Sequence, residues 1–277
     1  MKYPFTPAVL DALPEELAEL YRGLEDTLLQ EICSRLNVAG ELNEVTVDAI
    51  KALRSHGIPL DDIKKAIANT NNISMKKLDK LFDDVVARNQ AYYTELIDLA
   101  HVTKPETLVD AAVVEAIRKQ TKNELRNITR SMGFIVTKGG EKVLLPPAKI
   151  YQWALDRAVM EVESGAISYN QAISRTVKEL ASGGLMVDSD GNKGYVQYEK
   201  KPGMKKGHRD HIDVAARRAV MTGVNQLNQK YREQSMDYLE TDLVETTAHL
   251  GARNIDGPNG WENHAAWQGK VYRWRWG

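Results

Sequence analysis

Leu17, Leu20, Tyr21, Leu24, Leu28, Ile32 and Leu36 recur at steps of three and four residues. That spacing lines up one face of an α-helix. A chain carrying such a stripe has to bury it, so the first element is a long amphipathic helix. Pro14 fits its first turn and Gly40 ends the pattern. The same period predicts a short helix with Val47, Ile50 and Leu53 that stops at Gly57. Another begins near Pro59, carries Ile63 and Ile67, and stops in Asn69-Thr70-Asn71-Asn72. Ser74 is a natural N-cap for a long helix through Leu78, Leu81, Val85, Tyr92, Leu96 and Leu99. Thr103-Lys104-Pro105-Glu106 has capping-box spacing and opens a helix to about Met132.

After Gly133 the pattern changes. Phe134 to Thr137, Lys138-Gly139-Gly140 and Glu141 to Leu145 read as strand, turn, strand. Pro146-Pro147 then opens a second helical region, with helices from about Ala148 to Ser164 and from Ser168 to Ser182. A second hairpin is expected from Leu185-Met186-Val187 through a turn at Asp188 to Asn192 into Tyr195 to Tyr198. The basic loop Lys200 to Arg209 leads into a helix over about 210–235 with Ile212, Ala216, Val220, Val224, Leu227 and Tyr231. Near Leu243 to His249 the period becomes two, and Trp267 to Trp276 is a further strand candidate. The expected class is mainly α with a smaller α+β part: a helical N-terminal domain over 1–132, then helices with small antiparallel hairpins over 133–277.

The 277 residues suit one large or two modest domains. A composition of 43% hydrophobic and 27% charged residues is that of a folded globular chain rather than a disordered one. No run approaches the roughly 20 apolar residues that span a bilayer. Met1-Lys2-Tyr3-Pro4-Phe5-Thr6-Pro7 has no signal-peptide pattern. A soluble product, made and assembled inside a cell and without a membrane partner, is expected. Cys33 is the one cysteine, so neither a disulfide framework nor a thiolate zinc site is available within one chain. On the apolar stripe it reads as a small buried hydrophobe. There is no internal repeat or low-complexity tract.

The net charge of −1 conceals segregated blocks. Asp11, Glu15, Glu16, Glu19, Glu25, Asp26 and Glu31 face only Lys2 and Arg22 in the first stretch, whereas bases dominate Arg118 to Tyr151 and Lys193 to Arg232. Such blocks support oriented assembly or contact with a polyanion. Arg118, Lys122, Arg126 and Arg130 stand four apart and form a ridge on one helix face. Lys200, Lys201, Lys205, Lys206 and Arg209 form a second basic segment without interleaved aromatics. Both are candidate contacts for DNA, non-specific and salt-sensitive, or for an acidic protein partner.

Enzyme signatures are missing. Gly139-Gly140 and Gly183-Gly184 lack the strand-to-helix context of a phosphate loop, and there is no Gly-x-Ser-x-Gly elbow. His208-Arg209-Asp210-His211 reads as surface histidines leading into a helix rather than a metal pair. Asp188, Asp190 and Asn192 imitate the start of a calcium loop, but Lys193 stands where that loop needs glycine. No metal, cofactor or catalytic residue is expected.

The most distinctive segment is Thr247-Ala248-His249-Leu250-Gly251-Ala252-Arg253, followed after a Gly/Asn-rich loop by Trp267-Gln268-Gly269-Lys270-Val271-Tyr272. His249, Arg253 and Trp267 are expected to lie together and hold the strands in register, with Gly251 and Gly269 allowing tight turns. Two histidines, His249 and His264, are too few for a metal site. This pair of motifs, T-A-H-x-G-A-R and W-Q-G-K-V-Y, resembles the tailed-phage minor capsid proteins known as phage minor capsid protein 2. The helix before it agrees: Arg217-Arg218-Ala219-Val220-Met221-Thr222-Gly223-Val224-Asn225-Gln226 is similar to that family's R-R-x-x-x-T-x-x-N-Q.

The resemblance implies a structural virion component of the phage head, assembled in the host cytoplasm and associated with the portal and other capsid proteins. It implies a role in head assembly and in DNA packaging or delivery, with no catalytic residues. His249, Gly251, Ala252, Arg253, Trp267, Gln268 and Gly269 are then structural motif residues. Family members usually continue into a Gly-rich segment with an N-C-R-H motif, whereas this sequence stops at Trp274-Arg275-Trp276-Gly277. Chemistry depending on that segment is not expected here. The competing readings are a phage-delivered effector enzyme, a nuclease or ADP-ribosyltransferase using His249, Arg253 and His264, and a free DNA-binding protein.

Overall fold

The computed structural model describes residues 3–40, 61–103, 105–138, 140–164, 167–182, 194–198, 208–246 and 263–273. Its helices are α1 (Pro7–Ala12), α2 (Glu15–Gly40), α3 (Asp61–Leu99), α4 (Ala111–Ser131), α5 (Pro147–Glu163), α6 (Tyr169–Ser182) and α7 (Ile212–Tyr238). The strands are β1 (Met132–Lys138), β2 (Glu141–Leu145), β3 (Gly194–Gln197), β4 (Arg209–His211), β5 (Leu243–Glu245) and β6 (Val271–Arg273). The chain is mainly α with small antiparallel sheets, as its periodicity predicts. The expected helix around Val47, Ile50 and Leu53 and the strand at Leu185 to Val187 lie outside the described residues.

Two helix boundaries differ from the sequence reading. No break occurs at Asn69-Thr70-Asn71-Asn72: α3 runs through them. Such side chains favour caps and turns by bonding nearby backbone, but here Asn71 has another partner and Asn69 and Asn72 are exposed. Thr129 donates to Asn71 Oδ1 at 3.1 Å, Thr70 is buried, and Ser74 donates back to the Asn71 carbonyl at 2.9 Å rather than capping a new helix. Helix α4 starts at Ala111, not near Thr103. Asp110 is its cap, its Oδ1 accepting from the Ala112 amide at 2.6 Å. The preceding Leu108 and Val109 are buried in a bend.

The molecule divides into two compact units, each made of separated stretches: Met1–Leu13, Leu81–Arg118 and Gly223–Gly277 in one, Pro14–Lys80 and Lys119–Thr222 in the other. Both draw on either side of the pattern change near Gly133, because a helix buries its stripe against whatever complementary face the chain brings to it.

In the second unit α2 packs on α5 and α6, which also pack on each other, and α5 covers β1 and β2. Leu28, Ile32 and Leu36 of α2 and Ile150, Ala154 and Ala158 of α5 are buried, as is Ile173 of α6. A fully buried leucine or isoleucine contributes about 1.5–3 kcal/mol. Tyr21, also fully buried, donates to the Leu125 carbonyl at 3.1 Å. The first expected hairpin, β1–β2, is joined by the strand at Tyr195 and by β4 in one antiparallel sheet of order β2-β1-β3-β4. Phe134 pairs with Leu145 on one side and Gly194 on the other. Gly133 is required there: a Cβ would stand 2.6 Å from the Leu145 carbonyl oxygen. Glu25, buried under the sheet, accepts from the Gly194 amide at 2.7 Å.

The first unit is built on Phe82, Val85 and Ile97 of α3, Val114 and Ile117 of α4, and Val224, Leu227 and Tyr231 of α7, with Phe5 and Leu108. Asn89 and Asn228 are buried in it, Asn89 Nδ2 donating to Asn228 Oδ1 at 2.8 Å and to the Val85 carbonyl at 3.0 Å. Both α3 and α7 end in a Schellman turn. The Val102 amide reaches Ile97 O at 3.3 Å and the Thr241 amide reaches Met236 O at 3.0 Å. The left-handed positions are His101 at φ 56 and Glu240 at φ 49, where glycine is usual. The β5–β6 ribbon completes the unit.

Candidate interaction sites

The α4 ridge is divided by its surroundings. Arg118 is only 15% exposed: it pairs with Asp83 at 2.7 Å and Glu115 at 3.4 Å, and lies over the Phe82 ring at 5.8 Å. Lys122 pairs with Asp79 at 2.7 Å. Arg126 and Arg130 are exposed, and the Arg126 guanidinium bonds its helix neighbour Asn123 at 3.4 Å. The four-residue spacing that suggested a phosphate track therefore serves two purposes: one half matches acids of α3, and the other faces solvent.

The His208-Arg209-Asp210-His211 segment leads directly into α7 with His208 and Arg209 exposed. Its last three residues form strand β4, paired with β3 in the register Tyr195↔His211 and Gln197↔Arg209. Asp210 is 8% exposed, contacts His208 Nε2 and forms an ion pair with Arg218. Tyr198 stacks on His208 at 6.1 Å and lies under Arg218 at 5.4 Å, while Tyr195 meets the His211 ring at 4.2 Å. The Tyr198 amide donates to the His208 carbonyl at 2.8 Å. This cluster pins the base of the basic segment. Arg209 is exposed at its edge, and Lys200, Lys201, Lys205 and Lys206 lie outside the described residues. Sequence reading missed β4 because three residues are too short to show a period; the signal was the buried-type Asp210 between two histidines.

Acidic and basic blocks meet inside the second unit. Glu15 pairs with Arg217 and Glu16 with Lys77, and Arg22 bonds Asp213 at 2.9 Å. Glu15, Glu16 and Arg22 thus tie α2 to α7 and α3.

The C-terminal motif is described in part. Trp267 closes a 3₁₀ turn (His264–Trp267) instead of beginning a strand, and β6 starts at Val271. Asn263 caps that turn, accepting from the Ala266 amide at 3.2 Å. Thr246 organises the rest: its hydroxyl donates to the Trp267 carbonyl, its amide to Lys270 O at 3.0 Å, and its carbonyl accepts from Gly269 N at 2.9 Å. Gly269 has φ +63, the left-handed conformation the tight turn requires. Trp267 stacks on Tyr272 at 5.5 Å, and Gln268 is half-buried beside them. His249, Gly251, Ala252 and Arg253 lie outside the described residues. Thr246 was not singled out in the sequence, although a hydroxyl at a strand end is the usual substitute for missing ladder bonds.

Elsewhere the chemistry is sparse. Cys33 is half-buried. Among the described residues no group of three or more His, Cys, Asp or Glu could hold a metal ion. No described helix is long and apolar enough to cross a membrane.

Comparison with known proteins gives one result. The family model of phage minor capsid protein 2 matches residues 5–275, which takes in segments of both compact units. No curated protein and no solved structure matches the chain. A match over nearly the whole length identifies a structural protein of the phage particle, and the chain belongs to the phage minor capsid protein 2 family.

Proposed function

We propose that this chain is a portal-associated component of the tailed-phage head that acts in head assembly and in DNA packaging or delivery, without catalytic turnover. The observation that carries the reading is the extent of the family match, over residues 5–275. The distinctive motif supports it: Trp267, Gly269 and Tyr272 are spent on closing a turn through Thr246. On this reading His249, Gly251, Ala252 and Arg253 continue the same scaffold. Assembly takes place in the host cytoplasm, among portal and other capsid proteins. Arg126, Arg130 and Arg209, exposed here, together with Lys200, Lys201, Lys205 and Lys206, form the candidate contacts for DNA or portal. Arg118 and Lys122 add to them only if they exchange their present acids.

Purified virions test this directly. Mass spectrometry should find the chain in them, and cross-linking should join it to the portal protein. His249→Ala should lower thermal stability or incorporation. A folded, normally incorporated His249→Ala protein that has lost a nuclease or transferase activity of the wild type would overturn the structural reading.

A further inference from the structure

The outer edge of β5 is unused by any contact described so far. The amide and carbonyl of Thr246 point toward β6, bonding Lys270 and Gly269. Backbone groups alternate along an antiparallel strand, so Val244, opposite Tyr272, turns the same way and Leu243 and Glu245 turn outward. The Leu243 amide is taken by Thr241 Oγ1 at 3.2 Å. Among the described residues nothing bonds the Glu245 amide or the two outward carbonyls.

That edge looks into an open cavity of about 580 Å³ within the first unit. Leu243, Val244, Glu245 and Thr246 all line it. Side chains of a strand alternate between faces, so consecutive lining residues mean the strand presents its edge to the space. Opposite stand Tyr3, Tyr92, Tyr93, Leu96, Met236 and Leu239. The rings of Tyr3 and Tyr92 meet edge to face at 5.3 Å, and those of Tyr92 and Tyr93 at 5.0 Å. Arg232 lies among them, its charge acting on the hydroxyls of Tyr3 and Tyr93. No carboxylate among the described residues pairs with it.

We propose that this edge and cavity take an extended, carboxylate-bearing peptide segment of a partner protein, added to β5 as a third strand. Its apolar side chains lie on the tyrosines and its carboxylate on Arg232. The assignment rests on the structural reading above and names the kind of partner. Three features select this occupant. A free strand edge supplies donors and acceptors in the spacing of a peptide backbone. The volume falls within the range of roughly 300–1,000 Å³ that receives specific ligands. Arg232, bonded to the Tyr3 and Tyr93 hydroxyls but to no carboxylate among the described residues, favours a carboxylate in the occupant. A nucleic acid would carry its phosphates past Glu245 and has no peptide backbone to pair with the strand edge. The ribbon itself gains by addition: two strands alone are marginal, and Leu243 and Val271 are 53% and 61% exposed.

The test uses the whole chain and an array of overlapping peptides tiled across the proteins of the purified virion. At least one peptide of alternating apolar residues with an acid should bind. Binding should fall tenfold or more in Glu245→Pro, which removes the outward amide but no β6 bond, and in Arg232→Glu. Lys149→Glu, on exposed α5 surface, should bind as the wild type does. Circular dichroism melts establish that the variants fold. Hydrogen exchange needs no variant: the Glu245 amide should slow on peptide binding. No bound peptide, binding indifferent to both variants, or an unchanged Glu245 amide would overturn the proposal, as would Arg232-dependent binding of an oligonucleotide. A chain found in virions that binds no peptide refutes the docking edge alone, whereas a chain missing from virions refutes the structural reading.

Discussion

Arg22 on α2 donates to Asp213, in the first turn of α7, at 2.9 Å across 191 residues of sequence. Asp213 is buried, with its other oxygen on the Val214 amide at 2.8 Å. That bond to Asp213 is the main reason the Arg22 guanidinium is held more firmly protonated than usual. Arg22→Gln leaves a buried carboxylate short of its main donor. It should destabilise the second unit by about 1–3 kcal/mol, read as a lower urea midpoint at unchanged slope. An unchanged midpoint would mean that water replaces the guanidinium without cost.

The Asn89–Asn228 pair makes a sharper case, because both partners are buried. Asn89→Leu or Asn228→Leu alone strands a polar group and should cost about 1–3 kcal/mol. The double variant should cost less than the sum, since two apolar side chains of similar size replace a matched pair. Additive losses in the double-mutant cycle would show that the two amides act independently.

Glycine at the helix ends should stabilise. His101 and Glu240 hold left-handed backbone at the C-terminal turns of α3 and α7. A side chain there costs roughly 1 kcal/mol that glycine avoids. His101→Gly and Glu240→Gly should each raise the melting temperature by a few degrees. A lower value would mean that the side chains make compensating contacts.

Alkaline pH should loosen the fold through its buried tyrosines. Burial pushes Tyr21 and Tyr93 from 10.0 up to about 12. The folded state then holds these protons where the unfolded chain has released them. Their contribution is intact below pH 10 and lost as pH rises from 10 to about 12, at about 1.4 kcal/mol per pH unit for each. Tyrosinate absorbance should rise late, together with loss of helix signal. Ionisation of all tyrosines near pH 10 with the helices intact would contradict it.

Helices with long apolar stripes were legible in the sequence because their period depends on the chain alone. The α2 stripe is buried except for half-buried Leu20, and α5, α6 and α7 begin within a few residues of expectation. What failed to show were features set by distant partners. Asn71 in α3 is satisfied by Thr129, 58 residues away. β1 and β3 pair across two helices, and β4 has meaning only beside β3. Of the candidate contacts, the Arg118 ridge was visible as a pattern, but its acids on α3 were not. The W-Q-G-K-V-Y motif was visible as a signature, but Thr246, which gives it geometry, was not.

The division of the chain into interleaved stretches also sets a schedule for biosynthesis. One compact unit combines Met1–Leu13 with Gly223–Gly277, and the other combines Pro14–Lys80 with Lys119–Thr222. Neither can close before its last stretch, Lys119–Thr222 in one and Gly223–Gly277 in the other, has left the ribosome. The stripe of α2 emerges early and waits for α5 and α6. A nascent chain interrupted before Gly223 has no route to the first unit. The β5–β6 ribbon is among the last elements that can form, since β5 has no partner until Val271–Arg273 has been made.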